Sequence, residues 1–117
     1  MMNKSKKVDS LAQIYEKYKQ DSGGGDKGTR HSYIDVYEHI LAPYRWSANH
    51  FLEVGIYRGH SLGMFREYFA DSVVTGVDIE LSRIDLHLTK GCNILVGDAT
   101  CTDTFKHVDV LDVVIDD

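Results

Sequence analysis

The hydrophobic positions near the start of the chain recur at helical spacing. One stripe is formed by residues separated by steps of three and four: Val8, Leu11, Ile14, Tyr15 and Tyr18. This spacing predicts an amphipathic helix. Ser10, followed three residues later by Gln13, fits a capping box at the start of that helix.

A second stripe with the same spacing follows a run that cannot be helical. Residues 21–26 include three consecutive glycines, each of which costs about 1 kcal/mol inside a helix, so this run predicts a loop. The stripe contains five apolar residues: Tyr33, Val36, Tyr37, Ile40 and Leu41. It predicts a second amphipathic helix, with Ser32 as its N-cap and Pro43 just beyond its end.

Beyond residue 50 the pattern changes to four short apolar runs: Phe51–Ile56, Val73–Val77, Ile94–Val96 and Val110–Ile115. Their apolar and polar residues do not alternate cleanly, as is typical of strands buried on both faces of a parallel sheet. Three helix-like stretches separate the runs. They are marked by Leu62, Phe65, Tyr68 and Phe69, then by Leu81, Ile84 and Leu88, and finally by the short, weak stretch Thr102–Lys106.

This alternation of strands and helices predicts the fold class. Right-handed crossovers between parallel strands give an α/β fold with a Rossmann-like, doubly wound parallel sheet. The sheet is partial, with about four strands, and two N-terminal helices precede it. The predicted division is a helical segment over residues 1–48 and a half-domain over residues 49–117. Because the chain stops at the mouth of the fourth strand, we expect a truncated domain, or an edge covered by a second copy or by a complementing C-terminal polypeptide.

Composition narrows the class of protein. The 117 residues are 43% hydrophobic and 26% charged, which suffices for one core. No apolar run approaches the ~20 residues of a membrane helix, and no apolar segment follows the basic N-terminus, so neither a membrane protein nor a secretory signal is predicted. Cys92 and Cys101 form no disulfide framework, so a cytoplasmic location is expected. The net charge is −5 and the one basic cluster, within residues 4–7, is interpreted as a solvated terminus, so no nucleic-acid partner is expected.

The residues at the strand ends carry the candidate chemistry, because ligands bind open α/β sheets beyond the carboxyl ends of the strands. After the first strand, Gly55 and Gly59 allow a tight turn, and the following helix offers free N–H groups. Asp78 follows the second strand, 19 residues beyond Gly59, where a carboxylate can accept both hydroxyls of a ribose.

Acidic residues also follow the other two strands. Asp98, after the third strand, can accept the exocyclic amine of a base, and Asp116 and Asp117 follow the fourth strand. Each feature alone has a structural alternative: a plain turn at the glycines, a helix cap at Asp78 or Asp98, or a solvated chain end. Four such features at four successive strand ends indicate a binding site.

The same turn excludes two ligand classes. A nicotinamide fingerprint would need glycine at two positions where this chain has Tyr57 and His60, and Tyr57 would block close approach to a pyrophosphate. The phosphate-binding pattern GxxxxGK[ST] is absent from the sequence. The pattern therefore indicates a nucleoside without a pyrophosphate.

Taken in order, these motifs resemble those of class I S-adenosylmethionine-dependent methyltransferases over roughly residues 50–117. The matching segments are Glu53-x-Gly55-x-x-x-Gly59, Gly76-Val77-Asp78-Ile79, Gly97-Asp98-Ala99 and residues 111–117. Upstream, residues 26–38 are similar to a segment of macrolide-sugar O-methyltransferases of the macrocin and mycinamicin type. Some cephalosporin-biosynthesis and rhamnosyl methyltransferases share that segment. The wider superfamily usually has glycine where this chain has Tyr57.

The resemblance implies S-adenosylmethionine as the cofactor and a small-molecule acceptor as the substrate. It implies these cofactor-binding residues: Glu53, Gly55 and Gly59 around the amino-acid part, Ser61 at an unspecified part of the cofactor, Asp78 at the ribose, Asp98 near the adenine, and His31 lining the cofactor or substrate cleft. Asp116 and Asp117 would form the catalytic and magnesium-binding pair.

The Asp116–Asp117 pair also has a physical rationale. Two adjacent carboxylates suit a hard cation such as Mg²⁺, which would orient vicinal hydroxyls and lower the pKa of the attacking one. In the family this pair runs on into Gly-Ser-His, and the sequence ends before those residues. The first hypothesis is an S-adenosylmethionine-dependent, metal-assisted O-methyltransferase acting on a small hydroxylated metabolite or sugar. The alternatives are a non-catalytic S-adenosylmethionine-binding module or inactive fragment, and a different nucleoside-binding Rossmann protein.

Overall fold

The computed structural model describes residues 8–19, 27–108 and 110–116. Its helices are α1 (Leu11–Tyr18), α2 (Lys27–Leu41) and α3 (His60–Tyr68), with two short 3-10 turns at Ala42–Tyr44 and Thr102–Phe105. Its strands are β1 (His50–Val54), β2 (Val73–Asp78), β3 (Asn93–Val96) and β4 (Val113–Asp116).

The four strands form one parallel sheet in the order β3-β2-β1-β4. Val54 of β1 lies opposite Val77 on one side and Asp116 on the other. The chain moves outward from β1 to β2 and β3 and then returns to the far side of β1 as β4. This reversal places a topological switch point between β1 and β4, where ligands of such sheets bind. The predicted Rossmann-like fold class is confirmed.

Aromatic side chains fill the interface between β1 and α3. The ring centroid of Phe51 lies 4.8 Å from that of Phe65 and 5.0 Å from that of Phe69. All three side chains are at most 1% exposed. Burial of each such side chain contributes roughly 1.5–3 kcal/mol. The cluster therefore fixes α3 on the sheet and with it the position of the first turn of α3.

Helix α1 packs against both α2 and α3. The predicted capping box is confirmed: the Gln13 N–H donates to Ser10 Oγ at 3.1 Å, and the Ser10 N–H donates to Gln13 Oε1 at 2.8 Å. Glu38 of α2 accepts the Leu11 N–H at 3.0 Å. Glu38 thus satisfies a first-turn amide of α1 that has no partner within its own helix.

The prediction for α2 is wrong at its start and only partly right in its buried face. The helix begins at Lys27, ahead of the predicted N-cap Ser32. Leu41 of the predicted stripe is buried and Tyr37 packs against the core, as predicted. The other three residues of the stripe are more than half exposed: Tyr33, Val36 and Ile40. The contact of α2 with α1 through Glu38 turns the helix away from the predicted face. The predicted loop over residues 21–26 lies outside the described residues.

The helix predicted around Leu81, Ile84 and Leu88 is absent, since residues 79–92 form turns. Asp85 Oδ1 accepts the His87 N–H at 2.9 Å. Such a local bond competes with helical backbone pairing. Leu81 is exposed and Ile84 is only partly buried against the core, so the stripe does not form one fully buried face.

Strand boundaries differ slightly from the predicted ones. β1 ends at Val54, because the following residues form the glycine turn. β4 begins at Val113 rather than near residue 110. Asp112 Oδ2 accepts the N–H groups of Asn49 and His50 at 2.7 and 2.9 Å, which fixes the chain just before β4 starts. The weak third helix is the 3-10 turn Thr102–Phe105.

None of the helices in the described ranges is long and apolar enough to cross a membrane.

Candidate functional site

The turn between β1 and α3 is held in an unusual backbone conformation. Gly55 and Gly59 have φ of 92° and 109°, and Tyr57 between them has φ of 55°. Glycine tolerates this left-handed region, whereas a residue with a side chain is strained there. The Gly55 N–H donates to the Val77 carbonyl oxygen at 2.8 Å, which attaches the turn to β2. We name residues 55–59 the glycine turn.

Asp78, the last residue of β2, is bound to the glycine turn. Its Oδ2 accepts the N–H groups of Ile56 at 2.9 Å and Tyr57 at 3.2 Å, and its Oδ1 accepts the Glu80 N–H at 3.2 Å. Burial favours a higher pKa for this carboxyl. The backbone N–H groups of Ile56, Glu80, Tyr57 and Ile79 outweigh burial and hold the pKa of Asp78 below its usual value. Asp78 is therefore a carboxylate at neutral pH.

Glu53 and Ser61 lie on opposite sides of the glycine turn and contact each other. Ser61 Oγ donates to Glu53 Oε2 at 2.6 Å. Glu53 is 1% exposed, so its carboxylate belongs to the interior between β1 and α3 rather than to the open surface. Two residues that the family resemblance assigns to cofactor binding are thus brought together.

The first turn of α3 faces the carboxyl end of the sheet. Gly59 is its N-cap and supplies no side-chain hydrogen bond, so the first-turn N–H groups lack that common partner. Burial lowers the pKa of His60, and the Arg58 charge lowers it further, with Asp85 acting in the opposite direction. The start of α3 presents N–H groups that favour an anionic or polar ligand.

The packing of the fold requires glycine at position 59. A Cβ at Gly59 would lie 2.4 Å from Thr89 Cγ2. A Gly59→Val substitution would therefore disturb folding, because the turns between β2 and β3 pack directly against this glycine. Leu88 also approaches it, at 3.6 Å.

Asp98 follows β3 and closes a local turn. Its Oδ1 accepts both the N–H and the hydroxyl of Thr100, at 2.8 and 2.6 Å. The Thr100 hydroxyl, followed by its N–H, lowers the pKa of Asp98, against a smaller opposing effect of burial. A Cβ at Gly97 would lie 2.7 Å from Thr104, so this turn is tightly folded. The side chain of Asp98 thus caps a turn, whereas the structural alternative predicted for it was a helix cap.

The structure describes only part of the candidate metal and cleft residues. Asp116 is the last residue of β4 and is exposed, while Asp117 lies outside the described residues. His31 is in α2, but its side chain is outside what the structure describes. Within residues 8–19, 27–108 and 110–116, no group of three or more His, Cys, Asp or Glu side chains could hold a metal ion. Asp116 offers one oxygen ligand of the kind that Mg²⁺ prefers, and one such residue does not complete a site.

Sequence reasoning missed a small cluster beside the glycine turn. The Arg83 guanidinium lies 5.9 Å from the ring centroid of Tyr57, and Arg58 and Arg83 line an open cavity of about 380 Å³. Tyr57 is 63% exposed. The replacement of the usual glycine by Tyr57 was the available signal, because a bulky residue at a left-handed position often marks a functional site.

The sequence is similar to a known methyltransferase. It is 34% identical, over 106 residues, to the 8-demethyl-8-α-L-rhamnosyl tetracenomycin-C 2′-O-methyltransferase of Streptomyces olivaceus. The similar region covers 80% of this chain and 27% of that enzyme, so the chain spans about a quarter of the length of the curated relative that it matches. A comparison with protein-family models found no match.

Solved structures share the fold. The MycE methyltransferase of the mycinamycin biosynthetic pathway, in complex with Mg, SAH and mycinamycin VI, matches 96% of this chain with a TM-score of 0.67 and 22% identity. The match covers 28% of that protein. A cmcI structure with SAH matches 70% of this chain and 44% of its own, with a TM-score of 0.54 and 28% identity. Together the comparisons confirm the predicted relationship to class I S-adenosylmethionine-dependent methyltransferases.

Proposed function

We propose that this chain is the cofactor-binding part of an S-adenosylmethionine-dependent O-methyltransferase that acts on a small hydroxylated metabolite or sugar. The observation that carries the proposal is the parallel order β3-β2-β1-β4, which brings the ends of all four strands to one edge. That edge holds the glycine turn, Asp78, Asp98 and Asp116 around the switch point between β1 and β4. The similarity to an O-methyltransferase adds the reaction class.

The amino-acid part of the cofactor is proposed to lie against the glycine turn. Gly55 and Gly59 let the backbone approach a ligand closely, and the uncapped first turn of α3 offers N–H groups to a carboxylate. Glu53, 1% exposed and bonded to Ser61, holds the start of α3 in place. Glu53 and Ser61 would therefore shape this part of the pocket.

The nucleoside is proposed to lie across the next two strand ends. The turn that follows β2, beginning with Asp78, would hold the ribose, and the turn that contains Asp98 would lie near the adenine. Asp98 Oδ1 already accepts two bonds from Thr100, so Oδ2 is the atom that would accept the adenine amine. His31 on α2 would line the cleft.

Methyl transfer requires little covalent chemistry from the protein. S-Adenosylmethionine supplies an electrophilic methyl group on its sulfonium when bound. The task of the chain is to fix the cofactor so that acceptor oxygen, methyl carbon and sulfur are aligned, which lowers the entropic part of the barrier. Asp116 and Asp117 are proposed to take part in binding Mg²⁺, whose charge would favour the deprotonated acceptor oxygen.

The relatives suggest the class of acceptor. One is described as a 2′-O-methyltransferase of a rhamnosyl tetracenomycin, and another was solved with mycinamycin VI, Mg and SAH. A glycosylated or otherwise hydroxylated small molecule is accordingly the proposed acceptor. A methyl-transfer assay with radiolabelled S-adenosylmethionine, Mg²⁺ and a panel of rhamnosides and catechols tests the activity. Product formation that is lost with Asp116→Asn and retained with Asp103→Asn, a change at another exposed acid, would support the assignment.

The second candidate is a module that binds S-adenosylmethionine without catalysis. It is favoured by one observation: the described residues contain no cluster of three metal-ligating side chains. Calorimetry combined with the methyl-transfer assay separates the two candidates, because the module would bind S-adenosylhomocysteine and form no methylated product with any acceptor.

Partners and location complete the proposal. Within the described part of the chain, β4 pairs only with β1, so its other edge is open. Such an edge favours pairing with a further strand, from a second copy or from another polypeptide. Light scattering after size-exclusion chromatography would detect such pairing.

A cytoplasmic location is part of the proposal, and the free cysteines Cys92 and Cys101 agree with it.

A further inference from the structure

Two arginine side chains beside the glycine turn have no acidic partner. Arg58 belongs to the glycine turn and Arg83 to the turns that follow β2. Both are exposed, and together they line an open cavity of about 380 Å³. In the described part of the chain, neither forms an ion pair with a carboxylate. Residues 51–117 contain five Lys and Arg against twelve Asp and Glu, so two unpaired guanidinium groups at one cavity are unusual there.

Backbone contacts fix the two segments that carry these arginines relative to each other. The Asp85 N–H donates to the Arg58 carbonyl oxygen at 2.8 Å, and the Ile84 N–H donates to the Leu81 carbonyl oxygen at 3.1 Å. The second bond closes a turn around Arg83, and the first bond joins that turn to the glycine turn. The backbone at both arginines is thus fixed before any ligand binds, which reduces the entropy lost on binding.

The ring of Tyr57 restrains the Arg83 side chain. Its centroid lies 5.9 Å from the Arg83 guanidinium, a distance at which cation–π attraction acts. Tyr57 is itself held, because the Asp78 carboxylate accepts its N–H at 3.2 Å. A guanidinium over an aromatic ring keeps the N–H groups in its own plane available to a ligand.

The start of α3 adds to the positive potential of the pair. Helix α3 begins at His60, two residues after Arg58, and the N-terminal end of a helix carries a partial positive charge. Burial lowers the pKa of His60 and the Arg58 charge lowers it further, so Arg58 lies close enough to act on this helix end. Asp85 acts on His60 in the opposite direction, but in the described chain it forms no ion pair. The potential at the cavity therefore favours an anion.

We propose that Arg58 and Arg83 bind an oxyanion, the carboxylate or phosphate group of a small molecule, at a site separate from that of the cofactor. Guanidinium groups bind both kinds of oxyanion through paired, charge-assisted hydrogen bonds. In the proposed function the carboxylate of the cofactor lies at the first turn of α3, so the cavity is open to a second ligand. The source of the oxyanion is an acidic substituent of the methyl acceptor or a free anion. Only the first of these sources rests on the proposed function.

Inorganic phosphate tests the site directly. Phosphate is titrated into the isotope-labelled chain, and the amide shifts are followed by NMR for wild type, Arg58→Gln and Arg83→Gln. Lys106→Gln is the control, because it removes the same charge at an exposed residue that does not line the cavity. We expect saturable shifts around the cavity in wild type, binding at least about fivefold weaker in each arginine variant, and unchanged binding in the control. Thermal unfolding midpoints should stay close to that of wild type, because both arginines are exposed.

A pair of sugars distinguishes the two sources of the oxyanion. Methyl glucuronide and methyl glucoside differ in one carboxylate group. Tighter binding of the glucuronide, lost in both arginine variants, would support an acidic substituent of the acceptor. Equal binding of the two sugars, together with arginine-dependent binding of phosphate, would support a free anion at the same site.

Two results would overturn the proposal. One is phosphate binding that is equally weak in wild type and in both arginine variants. The other is loss of phosphate binding when S-adenosylhomocysteine is added, which would place the arginines in the cofactor site. Titration of S-adenosylhomocysteine into the same samples keeps the proposed function separate. A chain that binds phosphate through these arginines and no S-adenosylhomocysteine would retain the anion site while the proposed function fails, and the reverse result would remove only the anion site.

Discussion

The side chain of Ser61 and the carboxylate of Glu53 close the glycine turn from its two sides. The hydrogen bond from Ser61 Oγ to Glu53 Oε2 is 2.6 Å long and joins the buried part of β1 to the first turn of α3. The chain between these residues includes both positive-φ glycines of the turn. This contact therefore fixes the two ends of the segment on which the proposed cofactor site is built.

Removal of the hydroxyl should destabilise the fold. Ser61→Ala takes a donor from the Glu53 carboxyl group, which is 1% exposed, and a buried polar group that loses its partner costs roughly 1–3 kcal/mol. Urea unfolding should show a loss of this size. Ser47→Ala, at an exposed serine, is the matched control and should change stability by less than about 0.5 kcal/mol. Equal stability of the two variants would contradict the role given to Ser61.

Substitution of Gly59 should destabilise through the backbone and through Thr89. Gly59→Ala places a side chain at φ of 109° and a Cβ 2.4 Å from Thr89 Cγ2, so we expect a loss of roughly 2–4 kcal/mol. Thr89→Ser removes the clashing methyl group and keeps a hydroxyl. The double variant should recover part of the loss, by about 1 kcal/mol in a double-mutant cycle. Strictly additive effects would show that the two residues do not meet.

The sequence correctly predicted β1, β2 and α3, whose apolar residues are buried in the core. The buried runs of β1 and β2 and the stripe of α3 form one core around Phe51 and Phe65, and their pattern reflects that burial. The capping box of α1 depends only on Ser10 and Gln13, which are local in sequence, and it was predicted in full.

The wrong predictions concern segments whose structure depends on contacts between residues far apart in the sequence. The stripe of α2 was misplaced because Glu38, a polar residue, faces the start of α1. The helix expected around Ile84 does not form, because the Asp85 side chain accepts the His87 N–H and the segment packs against Gly59. At the site, sequence spacing identified Asp78, but only the structure places its carboxylate on the N–H groups of the glycine turn.

Asp78 should give the chain an acid-dependent stability. Its pKa is lower in the folded chain than the ordinary value of 3.8, so its contribution is complete above that value and is lost as the pH falls through the folded pKa. The difference in unfolding free energy between wild type and Asp78→Asn should be constant above about pH 5 and shrink towards about pH 2. A difference that does not vary with pH would show that the carboxylate charge is not what binds the turn.

The two cysteines should react at very different rates. Burial raises the pKa of Cys92 to about 11, and its side chain packs against the core, whereas Cys101 is exposed. The thiolate is the reactive form. A maleimide at pH 8 should label one thiol quickly in wild type, and Cys101→Ser should leave only the slow reaction. Fast labelling of Cys101→Ser would mean that Cys92 is more accessible than its packing indicates.

The central claim is that the edge formed by the four strand ends binds S-adenosylmethionine. Calorimetric titration of S-adenosylhomocysteine into the folded 117-residue chain, repeated in the presence of ATP, tests it most directly. The account predicts one bound S-adenosylhomocysteine per chain and no competition by ATP, because the glycine turn lacks a phosphate-binding pattern. A chain that is folded by circular dichroism and binds no S-adenosylhomocysteine, or one from which ATP displaces it, would contradict the account.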